Sequence, residues 1–339
     1  MDFFFVGYRD PIFGVIVLFG VLLLVAVLSY VWGILGAKDE KHNIEKFVKK
    51  FEKTTGLSDE HKKLLLELGI DVSSLGILAS TFSKSGDFDK AISVYLIALS
   101  KVKDKKQREF LLVNLGKIYL KAGFLKRASD VFLEALKLSP RNDEALRFLS
   151  VVYEKLKMYE NCLEALDALF EQGAEVGAEV AYTKALIICS QKMEFAKKID
   201  EILKLSSEFP LLKRVALEQF IKNHEPLSGL KEFPSLNQSI DTVFWLNEAV
   251  NLGDDEFKAL FKAKGLIDDE VEIKDFNISV LNSAKKSGIN ATLSFNFFCN
   301  ECKTTYPLFF YRCPNCARLG SVKISTQVTK ESSENDMPF

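Results

Sequence analysis

The stretch LGKIYLKAGFLKRASDVFLEALKLSP, residues 115–140, decides the fold of this chain. Small residues lie within it at Gly116 and Ala128, and aromatic residues at Tyr119 and Phe132. The same order of small and aromatic residues appears 37 residues earlier, and it appears again 34 residues later with Leu166 at the position of Phe132. A recurring unit of this length, with small residues at fixed places, predicts pairs of antiparallel helices that stack on one another.

The spacing is that of a tetratricopeptide repeat. In the earlier copy Ala91 takes the place of Ala128, and in the later copy Cys162 does. A weaker fourth copy has Ala196 at this position. Because neighbouring repeats bury their apolar faces against each other, we expect residues 73–210 to form a tetratricopeptide-repeat α-solenoid.

Two further segments are helical in pattern but not clearly repetitive. Residues 37–72 carry an apolar stripe at helical spacing, which predicts a juxtamembrane helical linker that caps the first repeat; pairing with a partner protein is the other interpretation. Residues 211–290 contain helical stretches without a regular period, and they are interpreted as degenerate helical repeats or a linker bundle. The predicted fold class of the main body is therefore all-α.

An apolar window near the start predicts a membrane anchor. Ile12–Leu35 contains no charged residue, and a transmembrane helix at 12–36 is long enough to cross a bilayer. The basic residues follow the window, at Lys38 and beyond, so residues 1–11 should face outward and the body should be cytoplasmic. A cleaved signal peptide is the alternative, but the window is long for one and its basic residues lie on the wrong side.

Composition excludes two classes of protein. The 339 residues carry 45 Lys and Arg against 46 Asp and Glu, a formal net charge of −1. A general nucleic-acid binder needs a surplus of positive charge. A hydrophobic content of 48% also excludes disorder for the bulk of the chain.

Four of the six cysteines form a pattern typical of a metal site. Cys299, Cys302, Cys313 and Cys316 have the spacing C-x2-C-x10-C-x2-C, in which each pair can place two sulfurs on one metal ion. Phe295 and Phe297, and the segment Leu308–Tyr311, are interpreted as short strands before the two turns. We therefore predict a small zinc ribbon or rubredoxin-like β module at 291–326, followed by a disordered tail at 327–339. The remaining two cysteines, Cys162 and Cys189, are interpreted as packing residues.

The ligand set favours structural Zn2+, at about one ion per chain, because four thiolates leave no open position; iron is the competing metal. A cytoplasmic location would keep the thiols reduced and so favours a metal over disulfides. The basic residues of the module offset the charge of the metal centre. The alternative interpretation of these basic residues is a nucleic-acid surface that includes Arg312 and Arg318. A redox- or nucleic-acid-responsive zinc protein is therefore a competing hypothesis for the function.

No catalytic constellation is evident in the sequence. The three histidines, His42, His61 and His224, are isolated from one another, and no phosphate-binding loop, HExxH or GxSxG motif occurs. An enzyme is therefore not expected. In the best repeat Asn114, Lys117 and Lys121 should face the groove of the array and are candidate partner-binding residues, with plain surface exposure as the alternative.

The order of anchor, repeats and four-cysteine module resembles the lipopolysaccharide assembly protein B (LapB, also called YciM) family. The residue-level resemblance runs through Gln107–Phe132 and through Tyr311–Cys316, which follows Cys299 and Cys302 with the family's spacing. The array is shorter than is typical there. Lys303 and Ala317 also stand where a rubredoxin-type turn often has glycine.

The resemblance implies a non-catalytic adaptor of the bacterial inner membrane. Its implied partners are the membrane protease FtsH, the lipid A-committing deacetylase LpxC, whose FtsH-dependent proteolysis it promotes, and an inner-membrane lipopolysaccharide sensor. Regulation of lipopolysaccharide synthesis is then the expected function, with a generic membrane-tethered scaffold for an envelope complex as the alternative.

Overall fold

The computed structural model describes residues 21–25, 27, 56–68 and 70–330 of the chain. It divides the chain into two compact units, Met1–Lys101 and Val102–Phe339. Besides the helical residues 21–25 and 27, the first unit contains the helices α1 Asp59–Glu67, α2 Val72–Lys84 and α3 Phe88–Lys101.

Helices α2 and α3 form the first helical pair. The side chain of Asp71 caps α2 by accepting a hydrogen bond from the backbone N–H of Ser74. Ala79 and Ala91, at the small-residue positions of the predicted repeat, are completely buried. Because neither has a side chain beyond Cβ, the two helices can approach closely at these positions.

The second unit holds the remaining elements. Its helices are α4 Lys105–Lys121, α5 Leu125–Leu138, α6 Asp143–Lys155, α7 Tyr159–Phe170, α8 Gly177–Ser190, α9 Phe195–Lys204, α10 Leu212–Lys222, α11 Leu236–Val243, α12 Asp255–Lys264 and α13 Phe276–Lys286. Its strands are β1 Ala291–Cys299, β2 Thr305–Tyr306 and β3 Val322–Lys330. Helices α4–α9 are three consecutive pairs, so with α2 and α3 four helical pairs occupy the segment in which repeats are predicted.

Helices α4 and α5 approach each other closely at Gly116. A Cβ placed on Gly116 would lie 2.5 Å from a ring carbon of Phe132, which is fully buried. Only glycine therefore fits at this position without movement of the ring. The small residue and the aromatic residue that decide the repeat in the sequence are thus direct neighbours across the helical pair.

The last helices and the sheet share one hydrophobic core. Strands β2 and β3 pair antiparallel with the two edges of β1, with Phe297 opposite Tyr306 and Phe295 opposite Thr326. Leu293 of β1 is buried in the same cluster as Phe257 of α12. The expected boundary at residue 290 separates helices from strands, but it does not separate two cores.

Several predictions lie partly or wholly outside the described residues. Of the expected membrane helix at 12–36, the structure describes Val21–Val25 and Val27, which are helical and have exposed side chains. Residues 1–11, 37–55 and 331–339 are not described. Within the described ranges, no helix combines the length and the apolar character needed to span a membrane.

Two predictions about the C-terminal module are wrong. Residues 327–330 are not part of a disordered tail, because β3 continues to Lys330, which pairs with Ala291. The segment Leu308–Tyr311 is not a strand; the second long strand is β3, after both cysteine pairs. Two side chains of this segment, Phe309 and Tyr311, instead contact helix α10 of the array.

Candidate metal centre

The structure brings the four predicted ligands together. The sulfurs of Cys299, Cys302, Cys313 and Cys316 all lie within 4.8 Å of one another. The Sγ atoms of Cys299 and Cys316 are 3.6 Å apart, and so are those of Cys302 and Cys313. Four sulfurs at about 2.3 Å from a tetrahedral zinc ion would be separated by about 3.8 Å. All four cysteines are free, so the residues fit a metal ion.

The two cysteine pairs sit on turns of the same backbone geometry. We call the turn at 299–304 the first knuckle and the turn at 313–318 the second knuckle. The backbone N–H of Lys303 donates to the carbonyl of Cys299 over 2.9 Å, and that of Ala317 donates to the carbonyl of Cys313 over the same distance. Lys303 and Ala317 both have φ of 60°, a left-handed conformation that costs a non-glycine residue about 1–2 kcal/mol.

The thiols do not favour ionisation equally in the absence of a cation. The hydrogen bond with the Thr304 hydroxyl lowers the pKa of Cys302 to about 6, whereas burial raises the pKa of Cys316 to about 12. Four neighbouring thiolates would repel one another, and a metal ion supplies the positive charge that allows all four to ionise. The cluster can therefore bind a metal ion.

The second knuckle is attached to the helical array by a buried ion pair. Arg312 donates to the carboxylate of Glu154 on α6 through Nε at 2.8 Å and Nη2 at 2.6 Å, and both side chains are only 10% exposed. Its third contact is from Nη1 to the carbonyl of Ala317, at 2.9 Å. Burial alone would lower the pKa of Arg312, but the Glu154 carboxylate outweighs it and raises the pKa. Arg312 is thus not available to a nucleic-acid surface.

The neighbouring aromatic residues extend this attachment. The Tyr311 hydroxyl donates to Glu218 on α10 over 2.7 Å, and its ring lies 5.5 Å from the ring of Tyr182 on α8. The guanidinium of Arg214 on α10 lies 3.4 Å from the centre of the Phe309 ring. Phe309 and Tyr311, which lie in the segment predicted as a strand, therefore contact the array, whereas Leu308 of that segment is exposed.

Arg214 is itself held by a network inside the array. Its Nη1 and Nη2 donate to the two carboxylate oxygens of Asp241 over 2.6 and 2.8 Å, and its Nε donates to Glu218 over 2.8 Å. Burial would lower the pKa of Arg214, but the hydrogen-bonded Asp241 raises it. The same carboxylate of Glu218 thus links Arg214 to Tyr311 and ties α10 to the module.

The candidate partner-binding residues of α4 have different surroundings. The Asn114 amide donates to the carbonyl of Phe110 in its own helix, and Lys117 forms an ion pair with Glu144. Lys121 is exposed at the end of α4. Lys117 and Lys121 line a groove beside the second knuckle, whereas Asn114 does not.

The two remaining cysteines are packing residues in the array. Cys162 is buried, with its sulfur 3.5 Å from the hydroxyl of Thr183, and Cys189 is half-buried. Burial raises the pKa of both thiols, which keeps them protonated and weakly nucleophilic.

Sequence reasoning missed the acidic residues that receive the module. Glu154 and Glu218 stand among many exposed acidic residues of the repeats and have no distinguishing spacing. A signal does exist in the module, where Arg312 follows four consecutive large apolar or aromatic residues, 308–311. An arginine next to such a segment indicates a buried ion pair as readily as a nucleic-acid contact.

Comparison with known families identifies the class of the helical array. Two models described as tetratricopeptide repeat match residues 74–109 and 111–142. The prediction of tetratricopeptide repeats is thereby confirmed. With a mostly helical fold and a small C-terminal sheet, the chain is a repeat protein of the scaffold or adaptor type.

Two curated proteins are similar to part of the chain. The photosystem I assembly protein Ycf3 of Rippkaea orientalis (strain PCC 8801 / RF-1) is 28% identical over 111 residues, which are 33% of this chain and 59% of that protein. The protein CTR9 homolog of Arabidopsis thaliana is 35% identical over 89 residues, which are 26% of this chain and 8% of that protein. The chain thus spans little more than half of the first relative and a small part of the second.

Solved structures of repeat proteins also align with the chain. MamA residues 41 to the end from Desulfovibrio magneticus RS-1 align at a TM-score of 0.38 and 19% identity, covering 48% of this chain and 90% of that one. A tetratricopeptide repeat protein from Parabacteroides merdae ATCC 43184 aligns at a TM-score of 0.37 and 17% identity, covering 63% and 98%.

Proposed function

We propose that this protein is a non-catalytic adaptor in which the repeats and the metal module present one surface to partner proteins. The observation that carries the proposal is the buried pair of Arg312 and Glu154, reinforced by Tyr311 and Glu218. These contacts hold the second knuckle against helices of the array, so that the two parts bind partners as one body. Repeat arrays offer extended surfaces of this kind for protein recognition.

The proposal includes a membrane tether and a cytoplasmic location for the body. It rests on the uncharged window Ile12–Leu35 and on the basic residues that follow it. In a bacterium this places the protein on the inner membrane with a single span. A tether would raise the effective concentration of the array toward other proteins of the same membrane.

The metal in the proposal is a structural Zn2+ ion, with iron as the alternative. Four cysteine sulfurs close the coordination sphere and leave no position for a reacting water. When bound, the ion would hold the two knuckles together and thereby fix the position of Arg312. Its role is thus to build the partner surface rather than to react.

The specific partners in the proposal come from the resemblance to the LapB family. The adaptor would bring LpxC to the membrane protease FtsH, promote its proteolysis and so restrain lipopolysaccharide synthesis, under the control of an inner-membrane lipopolysaccharide sensor. A second candidate is a scaffold that assembles a membrane-associated complex. It is favoured by the similarity of the repeats to a relative described as an assembly protein.

Affinity capture of the full-length chain in mild detergent tests the proposal. We expect FtsH and LpxC in the captured material, and we expect depletion of the protein to raise the amounts of LpxC and lipopolysaccharide. Arg312→Ala should lose the captured partners, whereas Arg318→Ala, which removes an exposed arginine of the same knuckle, should retain them. An unchanged level of LpxC after depletion would exclude the regulatory function, and capture of an envelope complex instead would favour the scaffold.

A further inference from the structure

A groove lies between the helical array and the second knuckle. It has a volume of about 620 Å³, which is in the range of ligand-binding sites, about 300–1,000 Å³. Leu120 of α4 together with Phe148 and Val151 of α6 lines its apolar part, and Pro314 and Asn315 of the second knuckle line the opposite side. The metal module therefore forms one wall of this groove and the array forms the other.

On the module side, the metal ligand Cys313 belongs to the lining of this groove, and on the array side the charged side chains are all basic. They are Lys117 and Lys121 of α4 and Lys155 of α6, and no acidic residue lines it among those described. Lys117 is neutralised by its ion pair with Glu144. Lys121 and Lys155 are exposed and form no ion pair within the described part of the chain. Among the described residues, these two positive charges have no acidic partner, so they can bind an anionic group.

A second groove, beyond the knuckle, has the opposite charge. Its volume is about 910 Å³, and it is lined by Asp167, Glu175, Glu179 and Glu208, with Arg318 as its basic residue. Arg318 and Ala317 of the same knuckle belong to the walls of the acidic and the basic groove, respectively. Grooves of opposite sign would direct a charged segment to one side of the module and exclude it from the other.

The plain alternative is that Lys121 and Lys155 only balance helix dipoles. Both lie in the last turn of their helices, where a positive charge is stabilising. That role requires neither apolar residues beside the lysines nor a wall from another module. Because the groove has both, a ligand with acidic and apolar groups would fit it better than water does.

We propose that the basic groove binds an extended acidic segment of a partner protein. Carboxylates of the segment would pair with Lys121 and Lys155, and an apolar side chain between them would pack on Phe148 and Pro314. This inference rests on the proposed adaptor function, because it assigns the partner contact of the adaptor to one site. The metal module then takes part in recognition directly, as a wall of the site.

Peptide binding to the purified full-length protein tests the site. The probe is a dye-labelled peptide of alternating glutamate and leucine, with a peptide of alternating lysine and leucine as the comparison. We expect the acidic peptide to bind and its affinity to fall with rising salt, because exposed ion pairs are screened. Lys121→Glu with Lys155→Glu should weaken it by about tenfold or more, since like charges then face the ligand.

Two control variants separate this site from general charge effects. Lys137→Glu with Lys184→Glu makes the same change of charge at exposed lysines that line neither groove, and it should bind as the wild type does. Lys121→Arg with Lys155→Arg keeps the charge and should retain binding. Equal weakening by both charge-reversal variants, or no binding of the acidic peptide to the wild type, would overturn the proposal.

The same variants in cells distinguish failure of the site from failure of the adaptor function. If the wild type restores LpxC turnover after depletion and Lys121→Glu with Lys155→Glu does not, the site carries the partner contact. If both restore it and the acidic peptide does not bind, the site is wrong and the adaptor function stands. If LpxC turnover does not depend on the wild type while the peptide binds at the lysines, the adaptor function is wrong and the site stands.

Discussion

The two knuckles share a sequence pattern and a backbone geometry, but they have different surroundings. The first knuckle stays within the module: the N–H of Asn300 donates to the carbonyl of Ser321 over 2.7 Å, and Glu301 and Lys303 are exposed. The second knuckle is preceded by Arg312, which is buried against the array. At the equivalent position before the first knuckle stands Phe298, whose ring has Lys323 of β3 above it.

The comparison separates two functions of one motif. The cysteines and the turn geometry bring the sulfurs together, and they are the same in both knuckles. The residue before each turn and its neighbours decide where the knuckle packs. A metal site and a docking surface are thus combined in a segment of a few residues, and they can be tested separately.

The largest effect is expected when the four-sulfur site, which the two knuckles share, is broken. Cys302→Ser and Cys313→Ser should be equally damaging, because either one breaks the same four-sulfur site. Structural zinc contributes on the order of 10 kcal/mol in small metal-binding domains, so we expect the module to unfold in both variants. Metal analysis and thermal unfolding would show this, and metal retained at the wild-type level by Cys302→Ser would contradict the four-ligand site.

The next effect is confined to the second knuckle. Arg312→Ala leaves the carboxylate of Glu154 buried without a partner and should cost about 3–5 kcal/mol in the free energy of unfolding. Arg318→Ala, at an exposed side chain, should stay within about 0.5 kcal/mol of the wild type. A double variant that adds Glu154→Ala should cost clearly less than the sum of the two single changes. Strict additivity in chemical denaturation would mean that the pair does not hold the module.

A smaller effect compares one tyrosine near each knuckle. Tyr311→Phe removes a 2.7 Å hydrogen bond to a charged group and should cost about 1–3 kcal/mol. The Tyr306 hydroxyl lies 3.8 Å from the sulfur of Cys313, a weak contact, so Tyr306→Phe should cost less. Denaturation of the metal-loaded proteins measures both, and the reverse order would mean that the contact of Tyr306 with Cys313 is the stronger of the two.

The smallest effect concerns the left-handed residues of the two turns. Lys303→Gly should stabilise the metal-loaded protein by about 0.5–1 kcal/mol, because glycine adopts a positive φ without steric cost. Ala317→Gly should give less, because it also removes a half-buried methyl group at the groove beside the array. The same denaturation measurement decides this, and a destabilising Lys303→Gly would mean that the turn does not carry the expected strain.

The repeats and the ligand set were predictable because their signals are local or repeated. Gly116 and Phe132 meet across one helical pair, and the spacing of the four cysteines restricts how two turns can share a metal. The contact of Arg312 with Glu154 was not predictable, because it depends on how two modules pack and leaves no periodic pattern. Strand β3 does have a periodic pattern in the sequence, because Val322, Ile324 and Val328 alternate with polar residues. The prediction of a polar tail from residue 327 overlooked this pattern.

The ion pair of Arg312 and Glu154 also has a consequence for the order of folding. The two residues are separated by 158 positions, so Glu154 leaves the ribosome long before its partner is synthesised. The repeats can form from local contacts, which fold fast, whereas closure of the distant pair is slow. During synthesis the carboxylate of Glu154 lacks this partner until Arg312 has been synthesised. The basic groove is thus completed only after the second knuckle has been synthesised.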